Sequence, residues 1–289
     1  MSYKTPGVYI EEISKFPPSI AAVETAIPVF IGYTEKAKLK EAGDLLNKAH
    51  RIKSLFDYER FYGGAMPETG IAVEIKGTEI VAKIGNPSNY MMYYGMQAFF
   101  ANGGGPCYVL SIGLYDTATQ LVNLDDLMGG LKEAGKVDEV TLNVFPDGFG
   151  LSKDNYYALQ KESLDQCVQL QDRFAVMDVY PNDDIAIDDV AQFRNADFGD
   201  VSIAKYGAAY YPQLDMLLDY VYKDDGVKVT VDGNEQTLAE LKGTNNAQYN
   251  LVRAALGDQL FVRMPAAMAM VGIYAKVDEA RGVWKAPAN

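Results

Sequence analysis

The sequence predicts an α/β fold: a central, mostly parallel sheet with helices on both faces, carrying β-hairpin insertions and an extended N-terminal arm. Three observations lead there. Pro28–Tyr33 is a continuous apolar run, and Cys107–Ile112 and Phe174–Val179 are apolar but for Ser111 and Asp178, without the alternation of a half-exposed strand, as strands covered on both faces are. Amphipathic helical patterns separate them, the rhythm of a chain that returns to a parallel sheet through helices. Finally, 289 residues with 48% hydrophobic and 22% charged side chains have the composition of a globular chain with a sizeable core.

The elements follow in order. Residues 1–20 form an arm and joint, and residues 21–289 the α/β domain. In the arm, Tyr3-Lys4-Thr5-Pro6-Gly7-Val8-Tyr9-Ile10-Glu11-Glu12-Ile13 opens on a Pro-Gly turn and continues as β-formers. Pro17-Pro18 then blocks regular structure, because proline fixes φ and lacks an N–H donor. A lone strand must pair with something, either its own domain or another subunit. Pro28–Tyr33 is the first core strand, and Ser54–Phe61 is a helix stopped by Gly63-Gly64. Ile71, Val73 and Ile75 alternate before Lys76-Gly77, and Ile80–Ile84 returns, a hairpin insertion near 65–85. Ser88 is expected to cap a helix running through Tyr94 and Phe99, which Asn102-Gly103-Gly104-Gly105-Pro106 ends.

Beyond it come the strand Cys107–Ile112, a helix over about 121–134, the strand Val140–Phe145 and a long helix from Asp154 with Tyr157, Leu164, Cys167 and Val168 on one face. Phe174–Val179 is the next strand. Val227, Val229 and Val231 alternate up to Asp232-Gly233, a second hairpin excursion near 223–240. Ala266–Ala275 reads as a helix of small residues, followed by the polar stretch Lys276–Arg281.

Chemistry is sparse. The net charge of −13 repels a phosphate backbone, and the basic cluster Lys36, Lys38, Lys40, Lys48, Arg51 and Lys53 is diluted by Glu35, Glu41 and Asp44; it reads as a solvated helix face, with no nucleic-acid role. The apolar stretches Ile20–Tyr33 and Tyr90–Ala101 fall short of the roughly 20 residues a bilayer crossing needs, so no direct membrane insertion is expected. The start Met1–Pro6 has no secretory pattern, and Cys107 and Cys167 read as reduced, buried thiols without metal spacing. Gly103-Gly104-Gly105 follows a helix and precedes a strand, the reverse of a phosphate-binding loop. Asp178, followed by Asp183 and Asp184, stands where such sheets carry active sites, but its spacing fits a solvated acidic loop better than a metal site. His50 is the only histidine; its positive neighbours Lys48 and Arg51 are expected to lower its pKa, and no Gly-x-Ser-x-Gly elbow occurs. No catalytic residue, cofactor site or metal site is assigned.

Five stretches together resemble the contractile tail sheath family of phage tails, R-type bacteriocins and contractile injection systems. They are Tyr3–Glu12; Ala26–Thr34; Phe99–Val109; Asp172–Asp178; and Gly272–Ala275 leading to Arg281–Asn289, in the family's order across nearly the whole chain. The resemblance is nearest to sheaths of extracellular injection systems. It implies a subtilisin-like α/β sheath domain without protease function. It also implies that Tyr3–Ile13 adds a strand to a neighbouring subunit, with Pro17-Pro18 as a stiff joint. The implied partners are neighbouring sheath subunits in stacked rings, an inner tube, and baseplate and cap proteins. Such subunits assemble in the bacterial cytoplasm and act in a phage tail or a released particle. Family members continue past the Trp284–Asn289 stretch into a C-terminal domain that faces the tube, and nothing here corresponds to it.

The alternative of another class is a divergent subtilisin-like hydrolase, which needs His50 beside a carboxylate and a nucleophilic serine. A nucleotide-binding α/β protein is a third. The acidic loops Asp183–Asp189 and Asp197–Asp200 are expected to face outward and keep an assembly soluble by mutual repulsion.

Overall fold

The computed structural model describes residues 25–181 and 186–285; the expected arm Tyr3–Ile13 and the joint Pro17-Pro18 lie outside the described residues. The chain runs through β1 (Pro28–Thr34), β2 (Ala49–Ile52), α1 (Leu55–Tyr62), β3 (Ile71–Lys76), β4 (Glu79–Ile84), α2 (Met92–Ala101), β5 (Cys107–Leu114), α3 (Leu124–Ala134), β6 (Leu142–Val144), α4 (Lys153–Leu170) and β7 (Phe174–Asp178). It continues through α5 (Ala186–Asn195), α6 (Val201–Ala204), β8 (Gly207–Tyr210), β9 (Leu214–Met216), β10 (Lys228–Val231), β11 (Asn234–Thr237), α7 (Leu238–Thr244), α8 (Asn246–Gln259), β12 (Val262–Met264) and α9 (Ala267–Arg281).

Among the described residues six strands form the main sheet in the order β2-β5-β1-β6-β7-β8, with only the edge strand β2 antiparallel. All seven residues of β1 are buried, because both of its faces are covered. Val29 and Ile31 join Leu127, Leu131 and Leu159 of α3 and α4. Phe30 joins Met92, Met96 and Phe99 of α2 and Val271 of α9 on the other side. The apolar runs without alternation in the sequence are this double covering.

The two hairpin excursions turn out to be one layer. β10 pairs in parallel with β3, so the two hairpins make a four-stranded sheet in the order β11-β10-β3-β4. The alternation of β3, buried at Ile71, Val73 and Ile75 and exposed between, is that of a sheet covered on one face. Its outer edge is closed by a side chain. Gln259 of α8 accepts from the Ala82 N–H at 2.8 Å and donates to the Ile80 carbonyl at 2.9 Å, occupying groups that would otherwise invite another strand.

Several local expectations hold. Ser54 accepts from the Asp57 N–H at 3.2 Å to start α1, and Gly63 ends it at φ +87°, a conformation that glycine adopts without strain. Gly103, at φ +97°, follows the end of α2. Others are corrected. The segment 36–53 is no helix: a loop leads into β2, and Asp44 holds that loop by accepting from the N–H groups of Leu39, Lys40 and Glu41. Three basic residues at alternate positions carry little helical information, and the pull of those three N–H groups on one carboxylate decides the local path. Ser88 does not cap α2, which begins four residues later. The polar stretch after Ala275 stays helical to Arg281.

Candidate functional site

Parallel sheets offer two ends, and this one uses them differently. At the carboxyl end, where α/β enzymes place their chemistry, stand two buried aspartates. Asp147 follows β6 and is fully buried. One of its oxygens accepts from the Tyr33 N–H at 2.6 Å, and the other from the N–H groups of Met91 at 2.6 Å and Met92 at 3.1 Å. It therefore caps α2 from a remote strand and pins the end of β1 to it. Asp178 ends β7 and accepts from the Ala267 N–H at 3.0 Å, at the first residue of α9. The backbone of Asp178 is itself clasped by the Tyr156 hydroxyl, which donates to its carbonyl and accepts from its N–H, each at 3.0 Å.

Burial pushes both carboxyls up to about 7, against the downward pull of the N–H groups they accept from. A carboxyl near neutrality would suit proton transfer, but both are sealed and occupied as caps. Asp178 is thus no member of a solvated loop. Asp189 corrects the outward-facing expectation too: it is buried and meets the Tyr211 hydroxyl at 3.3 Å, whereas Asp188, Asp197 and Asp200 are exposed.

A pH dependence follows. The folded state holds the proton on Asp178 up to about pH 7, whereas the unfolded chain releases it near 3.8. Between those values the folded state binds more protons, so stability is greatest below the window and falls as pH rises through it. Asp178→Asn is expected to flatten that slope by up to about 1.4 kcal/mol per pH unit, measured as unfolding free energy between about pH 5.5 and 7.

His50 lies on β2 with its ring edge-on to Phe61 at 5.0 Å, and among the described residues it has no hydrogen bond to a serine or a carboxylate. Its pKa is lowered by burial, and Asp44 and Asp57 pull the other way, so the expected cause, positive neighbours, is replaced by desolvation. Both cysteines are buried and free, and burial raises both thiols, Cys167 to about 12. Among the described residues no three His, Cys, Asp or Glu side chains gather in a way that would hold a metal ion.

The amino end of the sheet is different: among the described residues it is open. A cavity of about 580 Å³ lies between Ala26, Pro106, Glu279 and Trp284, and a neighbouring one of about 480 Å³ between Thr141, Phe174, Tyr274 and Lys285. Thr25, the first described residue, borders both and donates to Asp278 at 2.8 Å. Trp284 is 84% exposed and Val283 60%. The described chain therefore enters and leaves at one end of the sheet, opposite the capped aspartates. The expected arm residues lie outside the described residues, which begin at Thr25. Asp147 was missed at the sequence level; an aspartate just past a buried strand was its one available mark.

A chain in the cryo-electron microscopy structure of the anti-feeding prophage baseplate in its contracted state matches over 99% of this chain and 58% of its own length, at 19% identity and a TM-score of 0.57. The two share a fold. Similar chains occur in the contracted helical sheath of the anti-feeding prophage, at 21% identity and a TM-score of 0.47, and in the contracted PVC sheath complex of an extracellular contractile injection system, at 23% and 0.45. This chain covers 56% and 54% of those chains, so it spans little more than half the length of the proteins it resembles. No family model matches the sequence, and no curated protein does.

Proposed function

We propose that this chain is a structural subunit of a contractile sheath, a protein that polymerises around an inner tube and contracts to drive the tube through a target envelope. The observation that carries the reading is the fold shared along 99% of the chain with a component of a contracted particle. The carboxyl end of the sheet fits it: the positions that would hold catalytic groups in an enzyme serve as buried helix caps.

In this reading Tyr3–Ile13 is an intersubunit strand. Main-chain bonds supply its affinity, and the alternation of Val8 and Ile10 with Tyr9 and Glu11 supplies its register. Pro17-Pro18 stiffens the tether between that strand and Thr25. Neighbouring subunits, the inner tube, and baseplate and cap proteins are its partners, and no catalytic step, cofactor or nucleic acid is involved. The subunit assembles in the bacterial cytoplasm and acts in a phage tail or phage-tail-like particle.

The test is negative-stain electron microscopy of the full gene product, with its tube partner, against a version lacking residues 1–20. Helical tubes that vanish with the arm are expected. Tubes that persist without it would keep the sheath and discard the strand exchange. Failure of the intact protein to polymerise would leave the shared fold as a likeness of architecture alone.

A further inference from the structure

The layer built from β3, β4, β10, β11, α7 and α8 joins the core through four chain crossings, and one buried side chain stands among them. Glu68, just before β3, donates its N–H to the Val221 carbonyl at 2.7 Å and bridges to Tyr222, on the segment leading to β10. Its carboxylate accepts from the Ser88 N–H at 2.8 Å, on the segment leaving β4. The Val221 N–H in turn donates to the Tyr94 hydroxyl of α2 at 2.9 Å, and the Arg263 N–H of β12 reaches the Tyr220 hydroxyl at 3.4 Å. Entry and exit of both excursions therefore converge on Glu68, Tyr94 and Tyr220.

Glu68 is only 3% exposed, and among the described residues its second carboxylate oxygen, Oε1, is buried with no hydrogen-bond partner. The ionisable groups that face it are Tyr94 from α2 and Tyr220 from the segment before β10. The Arg263 side chain is paired with Asp215, and no cation bonds to Glu68 among the described residues. An unpaired carboxylate oxygen in such a place costs free energy when charged and much less when protonated.

We propose that Glu68 is a protonation-controlled latch, which holds the insertion layer to the core sheet while neutral and loosens it when ionised. Burial pushes its carboxyl up to about 7, so the change falls near neutrality. In an opened layer the carboxyl is hydrated and ionises near its ordinary 4.5. The opening equilibrium then rises with pH between the two values and levels off above the higher one. The device does not depend on the sheath reading, since it is tested on the chain alone.

The experiment is amide hydrogen exchange on the full chain and on Glu68→Gln, at about pH 5.5 and pH 7.5, corrected for intrinsic exchange rates. Residues 71–84 and 228–237 report the insertion layer, and residues 28–34 and 107–114 the core sheet. In the wild type the insertion layer is expected to lose at least about tenfold in protection between the two pH values. The core sheet loses protection as well, since its opening also exposes Asp147 and Asp178. Glu68→Gln keeps an acceptor for the Ser88 N–H but cannot ionise, and its insertion layer is expected to lose much less than the wild-type layer. Equal pH dependence of the insertion layer in the two proteins, or a wild-type insertion layer whose protection does not fall, would overturn the latch. If Glu68→Gln proves unfolded, the wild-type insertion layer decides alone, and unchanged protection between the two pH values overturns the latch.

Discussion

Asp147→Ala is expected to lower the unfolding free energy by about 3–5 kcal/mol, the largest loss for any single side chain on the carboxyl end of the sheet. The substitution leaves the N–H groups of Tyr33, Met91 and Met92 without their acceptor in a site closed to water. Each stranded donor costs more than a hydrogen bond is worth on balance, because nothing replaces the lost solvation. The damage also spreads, since α2 starts at Met92 and carries Met96 and Phe99 onto the sheet. Asp147→Asn keeps an oxygen acceptor and should lose roughly half as much. Gly32→Ala is a second route to the same defect, because an added methyl would run into the Asp147 carboxylate. Urea unfolding read by circular dichroism measures all three, with the midpoint falling and the slope unchanged. An Asp147→Ala protein within about 1 kcal/mol of the wild type would refute the capping role.

Gly272→Val is the second large effect, expected at about 3 kcal/mol or more. Gly272 lies where α9 crosses α2, and a Cβ there would stand 2.5 Å from the Phe99 carbonyl oxygen and 3.1 Å from the Asn102 Cβ. A carbonyl inside a helix cannot swing aside as a flexible side chain would. The two helices must therefore separate, opening the face that Phe30 fills, where its ring meets Phe99 at 5.0 Å. Gly105→Ala is the control, since among the described residues a Cβ there has no neighbour within 4 Å and the change should stay within about 0.5 kcal/mol. Thermal unfolding of the pair distinguishes a steric effect from a general glycine effect: both melting temperatures falling together would count against the crossing.

Much of the fold was legible because it rests on local patterns. Apolar runs without alternation marked β1, β5 and β7, since a strand covered on both faces needs no polar alternation. The turns at Lys76-Gly77 and Asp232-Gly233 marked the two hairpins by the backbone demands of tight turns, and Gly77 and Asp232 do take positive φ. The same logic failed where a remote group supplies what a local one usually does. Ser88 had the side chain of a cap, but α2 takes its cap from Asp147, 55 residues from Met92. Asp178 read as solvent-facing because an acidic run follows it, and yet the end of β7 lies beneath the start of α9.

By itself the sequence determined the α/β class, the order of most core elements, the two hairpins and the lack of any recognisable catalytic motif, because each depends on residues a few positions apart. Only the tertiary structure decided that the hairpins merge into one sheet, that Asp147 and Asp178 are buried caps, and that Glu68 stands where the layers join. Those are encounters between segments up to about 150 residues apart in the chain, such as Glu68 with Val221. Their pairing is set by which apolar faces must be buried together and which polar groups must then find partners away from water. No periodicity within a single segment records that choice.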